Sequence, residues 1–221
     1  MIKGILFDFD GTLANTIDLI VATFEYSCQK ILGYKPSREA IVNTIGLPLA
    51  DAFVVLTNEP AKLEELRAAY SRFNQEHHDS MIEPIPGVEA LLAELKRRGL
   101  KIAVVTSKKP PMLHRGLNCL KLSGYIDAVV TVLDTKLGKP HPEPVLLGCE
   151  KLGLKPQECI CVGDSPYDMQ SGRAARTVTA AVKYTAFPLD KVLLEGVPDF
   201  VIDEPEALLE LIDSLNRTEV N

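Results

Sequence analysis

The stretch MIKGILFDFDGTL, residues 1–13, decides the fold. Its first seven residues contain a short apolar run, which predicts a strand buried on both faces. Asp8 and Asp10 follow at once, and Gly11-Thr12 ends the strand. Carboxylates are rarely buried unless they are paired or bind a metal, and parallel sheets bind ligands beyond the carboxyl ends of their strands. The stretch therefore predicts a metal-dependent active site.

An EF-hand calcium loop is the main alternative for two acids at this spacing. Such a loop needs a further ligand at its fifth position and a glutamate at its twelfth. Counted from Asp8, those positions hold Thr12 and Leu19. The calcium loop is therefore excluded, and an ordinary acidic turn at a strand end remains the plain alternative.

The composition is that of a globular protein, with 46% hydrophobic and 24% charged residues among 221. This length allows one large domain, or one domain with an insert. The net charge of −6 argues against nucleic acid as a partner. No apolar run is long enough to cross a membrane, and the N-terminus lacks the pattern of a signal peptide. We therefore expect a cytoplasmic protein with no membrane partner.

The five cysteines are odd in number and lack the spacing of a zinc site. Cys159 and Cys161 alternate with apolar residues along one predicted strand. The five cysteines are therefore expected to be small buried side chains in a reducing compartment, and neither metal ligands nor members of a disulfide.

The segment 15–84 has a helical pattern throughout. Apolar residues recur at intervals of three or four from Ile17 to Cys28, and again from Leu63 to Phe73 after the helix-starting Pro60. We therefore predict an all-helical insert between the first strand and the rest of the chain.

Beyond Pro84-Ile85-Pro86-Gly87 the pattern alternates between helix and strand. Alternation of this kind predicts an α/β fold with a doubly wound, mostly parallel sheet. The expected core comprises residues 1–14 and 85–221. Strands are predicted at 101–105, 128–132, 159–162, 178–182 and 199–202, and helices at 88–99, 112–120, 142–152, 168–175 and 205–215.

Further polar residues stand where a sheet-edge site would need them. Thr106 directly follows the apolar run 102–105, and Asp164 and Asp168 follow another apolar strand in the sequence ICVGDSPYD. Lys139 lies in GKPHP, a turn that leads into a helix. Each residue alone could be a helix cap, a solvated lysine or part of a turn. Together, at one edge of a sheet, they predict a single site.

These four motifs resemble, in order and in context, motifs I to IV of the haloacid dehalogenase (HAD) superfamily, most of whose members are phosphohydrolases. The resemblance implies a Rossmann-like core that binds Mg²⁺. The helical insert 15–84 is similar to the lid of that superfamily known as a C1 cap. A small phosphorylated molecule is the implied substrate.

The resemblance also implies a role for each motif residue. Asp8 would be the nucleophile that forms an aspartyl-phosphate, and Asp10 would be the general acid and base. Asp8, the backbone carbonyl of Asp10 and Asp164 would hold Mg²⁺, and Asp168 would orient the lysine of motif III or a metal-bound water. Attack on a phosphoryl dianion requires its charge to be neutralised. The side chains expected to hold the phosphate oxygens are those of Thr106, Ser107 and Lys139.

Asp10 favours phosphoryl transfer over dehalogenation, because a halide leaving group needs no proton donor. P-type ATPases are excluded because no membrane spans are present. A mutase of the phosphoglucomutase kind shares the motifs and stays open. A catalytically silent HAD-fold binding protein is disfavoured, because Asp8, Asp10 and Lys139 are all retained.

Parts of the insert and of motif III resemble one subgroup, the cytosolic HAD-type pyrophosphatases of Gram-positive bacteria, which act on pyrophosphate released when seryl-phosphorylated HPr is dephosphorylated. Pyrophosphate is therefore the expected substrate, with phosphoglycolate or a sugar phosphate as the alternatives. The chain departs from the subgroup at Ser107, at His141 and at Ser165-Pro166-Tyr167. The sequence leaves a monomer and a homodimer equally open.

The cap residues that would contact the substrate are predicted from the helix near residues 63–79. Basic side chains there could bind a phosphate, or could simply face solvent on an amphipathic helix. His78 is the first choice, because it belongs to the pattern of the subgroup. The other candidates are Arg72, His77 and Arg67.

Overall fold

The computed structural model describes residues 1–185 and 187–218. The strands are β1 (Gly4–Phe7), β2 (Ala14–Asn15), β3 (Glu83–Pro84), β4 (Lys101–Val105), β5 (Ala128–Val130), β6 (Cys159–Gly163), β7 (Val178–Val182) and β8 (Phe200–Ile202). The helices are α1 (Ile17–Leu32), α2 (Arg38–Val42), α3 (Leu49–Thr57), α4 (Leu63–Met81), α5 (Val88–Arg97), α6 (Pro110–Cys119), α7 (Glu143–Leu152), α8 (Pro166–Ala175), α9 (Leu189–Lys191) and α10 (Ala207–Thr218).

Six parallel strands form the main sheet in the order β5-β4-β1-β6-β7-β8. Strand β1 lies at its centre, with Phe7 level with Val104 on one side and with Val162 on the other. Parallel neighbours need crossover connections, which the helices between the strands supply. The predicted α/β fold is confirmed, and the chain leaves β1 at the middle of the carboxyl edge.

The sheet is covered by apolar side chains on both faces. Ile5 and Phe7 pack with α5 on one face, and Leu6 packs with α7 on the other. Successive residues of a strand point to opposite faces, so a strand buried on both sides must be apolar at every position. Packing on both faces of the sheet therefore fixes the strands, and with them the carboxyl edge.

The helices α1 to α4 lie between β2 and β3, which pair with each other in antiparallel fashion. Phe24 packs edge-on against Phe53 and Tyr70, with ring centroids 4.8 and 5.0 Å apart. The same apolar cluster includes Met169 and Phe187 of the core. The helical segment is therefore packed onto the sheet domain as well as onto itself.

Several element boundaries differ from the prediction. Helix α8 begins at Pro166, two residues before the predicted start, because the Ser165 side chain caps it. Strand β5 is shorter than predicted, and the short strands β2 and β3 were not predicted. All five cysteines are free thiols, as expected, but Cys119 is exposed, whereas the prediction placed every cysteine in the core. No helix in the described part of the chain is both long and apolar enough to span a membrane.

Candidate active site

A cavity of about 260 Å³ lies between the carboxyl edge of the sheet and the helical segment. Asp8 and Asp10 of the β1 loop and Thr106 of the β4 loop line its floor, and residues of α1 and α4 line its roof. The position agrees with the rule that ligands of open parallel sheets bind beyond the strand ends. These side chains follow the ends of the strands, and the helices enclose them.

The turn after β1 folds back tightly, which places Asp10 near Asp8. The Phe9 carbonyl accepts hydrogen bonds from the backbone N–H groups of Leu13 and Ala14, both at 3.0 Å. Gly11 has a φ of 79° in this turn, and a Cβ there would lie 2.1 Å from Asp164 Oδ2. Residue 11 must therefore be glycine for two reasons: its positive φ, and its close approach to Asp164 after β6.

Lys139 is buried at the centre of the site, with 3% of its surface exposed. Its ammonium donates to Asp8 Oδ1 at 2.8 Å, to Asp168 Oδ1 at 2.5 Å and to the Val105 carbonyl at 3.1 Å. Burial alone would lower the pKa of Lys139, but the Asp168 and Asp8 carboxylates outweigh it and raise that pKa. Lysine has three N–H donors, and the protein uses all three. It therefore supplies a fixed positive charge beneath the cavity.

Asp168 is held on both of its carboxylate oxygens. Oδ1 accepts from Lys139, and Oδ2 accepts from the Ser165 backbone N–H at 3.1 Å and from its hydroxyl at 2.6 Å. These bonds form a capping box at the start of α8. The motif spacing from Asp164 to Asp168 thus has a local structural cause, and Asp168 orients Lys139.

Asp8, Asp164 and Asp168 form an acidic cluster that could hold a metal, with one carboxylate oxygen from each lying within 4.8 Å of the others. Burial, opposed by Lys139 and reinforced by Asp168, raises the pKa of Asp8 to about 7. Burial and the charges of Asp168 and Asp8 raise the pKa of Asp164 well above its usual value. The single positive charge of Lys139 therefore does not balance the three carboxylates of this cluster.

Asp164 provides the clearest test of whether a cation fits. Its Oδ2 accepts a hydrogen bond from Thr185 Oγ1 at 2.6 Å, whereas its buried Oδ1 has no partner among the described residues. Buried carboxylate oxygens are normally satisfied, and a hard divalent cation prefers such oxygen ligands. Asp8 and Asp164 fit a divalent cation, whereas both oxygens of Asp168 are already in use.

Asp10 is held by two donors, both on Oδ1. Thr16 Oγ1 donates at 2.6 Å, and Lys108 Nζ lies 2.6 Å away with its side chain only 10% exposed. Lys108 is not among the residues predicted from the sequence, although it lies two residues after Thr106 at the same strand end. A lysine in a loop is usually solvated, so position at the sheet edge was the only available signal.

Thr106 and Ser107 lie at the cavity floor, as expected for the loop after β4. Thr106 Oγ1 accepts from the Lys108 backbone N–H at 3.2 Å, which leaves its own proton free to be donated. Ser107 Oγ donates to the Gly46 carbonyl at 2.7 Å. Ser107 therefore joins the sheet domain to the helical segment.

Three of the four cap candidates lie outside the cavity. His78 is fully buried between α4 and α6, with its Nδ1 2.7 Å from Asp79 Oδ1. His77 stacks on Phe73, and Arg72 is exposed on the outer side of α4. Within the described residues, Arg72, His77 and His78 do not line the cavity. Arg67 does line it, and it also pairs with Glu64 at 3.0 Å.

Residues 5–182 match the family model of the haloacid dehalogenase-like hydrolases. The chain belongs to this family, and it is a phosphatase or pyrophosphatase of the HAD type. The motif order and the site geometry agree with that membership. The chain therefore belongs to the class of phosphohydrolases that the sequence predicted.

Two curated relatives match over almost their whole length. The first is "Putative pyrophosphatase PpaX" of Clostridium perfringens (strain 13 / Type A), 43% identical over 98% of this chain and 100% of the relative. The second is "Pyrophosphatase PpaX" of Bacillus cereus (strain AH820), 38% identical over 98% of this chain and 99% of the relative. Among solved structures, a hydrolase from Pseudomonas syringae shares the fold with a TM-score of 0.86 and 24% identity, over 96% of this chain and 98% of that one.

Proposed function

We propose that this protein hydrolyses inorganic pyrophosphate with Mg²⁺, through a phosphorylated Asp8. The observation that carries the proposal is the arrangement of Asp8 at the cavity floor, 2.8 Å from the buried Lys139 and next to the unpartnered Asp164 Oδ1. A nucleophilic carboxylate, a fixed positive charge and a vacant oxygen ligand thus meet at one point. The choice of pyrophosphate rests on the 38% identical relative named pyrophosphatase.

Asp8 would attack the phosphorus atom of the bound substrate, and the bond to the leaving phosphate would break. An anion approaches a phosphoryl group only where the negative charge is offset. Lys139 supplies part of that offset from beneath the cavity. Asp8, Asp164 and the backbone carbonyl of Asp10 would hold Mg²⁺, which supplies the remaining positive charge when bound.

Asp10 would handle the protons. Its carboxylate lies on the same loop as Asp8 and is oriented by the Thr16 hydroxyl and by Lys108. In the first step Asp10 would give a proton to the leaving group where one is needed. In the second step it would take a proton from the water that attacks phosphorylated Asp8, a role worth about 10²–10⁴-fold in rate.

The transferred phosphoryl group would be positioned by the loop after β4 and by the lysine beneath it. Thr106 has a free hydroxyl proton at the cavity floor. Contact between Lys139 and a phosphate oxygen would require one of its three bonds to exchange, and the bond to the Val105 carbonyl is the longest at 3.1 Å. Lys139 would therefore act first through its charge.

Residues 15–84 would form a cap over this site. The segment forms the roof of the cavity and joins the sheet domain at the paired strands β2 and β3. A closed roof excludes water, which strengthens the electrostatic interactions inside. The cap would therefore both select the substrate and protect the phosphorylated intermediate.

The proposal is tested by measuring phosphate release from pyrophosphate, phosphoglycolate and a sugar phosphate, each with and without Mg²⁺. We expect the highest kcat/KM for pyrophosphate, and activity only with Mg²⁺. Asp8→Asn should lose nearly all activity while keeping the circular dichroism spectrum of the folded protein. A higher kcat/KM for phosphoglycolate would replace the proposed substrate, and an active, undeamidated Asp8→Asn protein would remove Asp8 as the nucleophile.

A further inference from the structure

Helix α4 turns a polar face toward the cavity. Tyr70 and Asn74 are one helical turn apart, so they lie on the same face, and both line the cavity. Asn74 is only 5% exposed, and its side-chain amide makes no hydrogen bond to any residue that the structure describes. A buried amide is normally satisfied. Asn74 therefore has donor and acceptor capacity that a bound ligand would use.

Tyr70 provides a second donor beside it. Its ring is fixed edge-on against Phe24 and Phe53, at centroid distances of 5.0 and 5.9 Å. Its hydroxyl has no hydrogen-bond partner within residues 1–185 and 187–218. Burial and the charge of Asp10 raise the pKa of Tyr70, so the hydroxyl stays protonated and lies within electrostatic reach of Asp10.

Lys108 approaches the same space from the sheet domain. Its ammonium is 2.6 Å from Asp10 Oδ1 and 5.5 Å from the centre of the Phe9 ring. Two of its three N–H donors have no acceptor in the described part of the chain. The cavity next to Asp10 thus has one cation on its floor and two neutral donors on its roof.

The α1 and α3 side chains of the cavity wall are apolar, among them Ile20, Phe24, Leu49 and Ala52. Arg67, Ser71 and Gln75 add further polar groups on α4. The polar groups of the wall therefore lie mainly on α4 and on the loops of the sheet domain, where Asp10, the proposed proton donor, would face the leaving group. A ligand that satisfied all of them would be compact, rich in oxygen and negatively charged.

We propose that Asn74, Tyr70 and Lys108 form the leaving-group subsite, and that its occupant is a second phosphoryl group. The inference rests on the proposed function, because phosphate is the leaving group of pyrophosphate. Three phosphate oxygens match one ammonium and two neutral donors. An aryl or sugar leaving group carries no charge for Lys108, and a carboxylate has one oxygen fewer.

The test compares Asn74→Leu and Tyr70→Phe with the wild-type enzyme on pyrophosphate, phosphoglycolate and phenyl phosphate. Asn74→Leu keeps the branched shape of the side chain, Tyr70→Phe keeps the ring, and both changes remove the polar group. Ala68→Leu is the matched control, because it places leucine on the exposed side of the same helix. We expect kcat/KM for pyrophosphate to fall about 10- to 100-fold in each variant, since a hydrogen bond to a charged group is lost. For phenyl phosphate kcat/KM should stay within about threefold of the wild-type value.

The outcomes distinguish a failure of the subsite from a failure of the proposed function. A wild-type enzyme that prefers phenyl phosphate to pyrophosphate and phosphoglycolate, whose leaving groups carry an anionic group, overturns the proposed function, and the subsite with it. If the wild-type enzyme prefers pyrophosphate but the variants lose activity equally on all three substrates, only the subsite is overturned. A loss confined to phosphoglycolate would make the occupant a carboxylate and overturn the phosphoryl assignment. Unchanged activity on pyrophosphate in both variants would also overturn the subsite.

Discussion

Lys139 shows how one buried residue can fix the geometry of a whole site. Its three donors reach a strand end, the proposed nucleophile and the cap of α8. Removing one member of a buried charged network leaves the others uncompensated, which is more costly than never burying them. Lys139 should therefore matter for both stability and catalysis.

We predict that Lys139→Ala lowers kcat at least about 10²-fold, because a charge that stabilises the transition state is lost. It should also lower the free energy of unfolding by about 3–5 kcal/mol, because Asp8 and Asp168 stay buried without their partner. Steady-state kinetics and urea unfolding measure the two effects. Lys139→Arg should rescue little, because a planar guanidinium cannot replace a compact ammonium with three acceptors around it.

Lys136→Ala is the control for this pair of measurements, because Lys136 is exposed three residues away in the same loop. It should leave both kcat and stability close to those of the wild-type protein. An arginine variant with wild-type kcat would show that the three-point contact does not control the chemistry.

The motif aspartates and Thr106 could be placed from the sequence because they follow recognisable apolar strands, and Lys139 because it lies in a turn that leads into a helix. Lys108 could not, because nothing in the sequence shows that a loop lysine folds back onto Asp10. His77 and His78, predicted to contact the substrate, do not line the cavity, for a related reason. The rotation of α4 is set by packing of Phe24, Phe53 and Tyr70, which points Asn74 into the cavity and buries His78 against α6.

At the scale of elements, the contact between α6 and the loop after β1 positions Asp8 and Asp10. A Cβ at Gly116 of α6 would lie 2.7 Å from the ring of Phe9. Phe9 stands between Asp8 and Asp10, so any displacement of its ring is transmitted to both carboxylates. The helix can approach the loop this closely only because residue 116 has no side chain.

Gly116→Ala should therefore destabilise the protein and slow the enzyme. Alanine favours a helix by about 1 kcal/mol over glycine, but overpacking a core costs about 1–3 kcal/mol. We expect a net loss in the free energy of unfolding together with a lower kcat. Gly124→Ala is the control, because a Cβ there meets nothing within 4 Å. Equal stability and kcat in the two variants would show that the loop does not depend on this contact.

The strands and helices of the core were predicted well because their hydrophobic periods are clear and their lengths ordinary. The two-residue strands β2 and β3 were not, because their pairing joins residues far apart in the chain. The start of α8 was also missed, although the capping box between Ser165 and Asp168 is local and could have been found in the sequence. The local pattern therefore predicts the elements, whereas the pairing of β2 with β3 depends on long-range contacts.

At the scale of the whole molecule, the acidic site makes folding and cation binding depend on each other. Burial, with the carboxylates nearby, raises the pKa of Asp8 from 3.8 to about 7. The folded state then holds this proton more tightly than the unfolded chain. Without a divalent cation, the contribution of Asp8 to the free energy of unfolding falls as pH rises from 3.8 to about 7.

Mg²⁺ should therefore stabilise the protein more at about pH 8 than at about pH 5, because a cation that binds ionised Asp8 competes with the proton below its pKa. The increase in Tm caused by Mg²⁺, measured at both pH values, tests this. Asp8→Asn should abolish most of the difference between the two. An equal increase at both pH values in the wild-type protein would contradict a cation site at Asp8.

Phosphorylation of Asp8 is the central claim, and trapping the intermediate tests it most directly. Asp10→Asn should slow the attack of water and let the intermediate accumulate during turnover of pyrophosphate with Mg²⁺. The reaction is quenched rapidly and treated with borohydride, which reduces an aspartyl-phosphate to homoserine, and the peptide 1–30 is analysed by mass spectrometry. The account predicts homoserine at position 8 only when substrate is present. Turnover with unmodified aspartate at position 8 throughout, in a sample where added acyl phosphate is reduced, would contradict it.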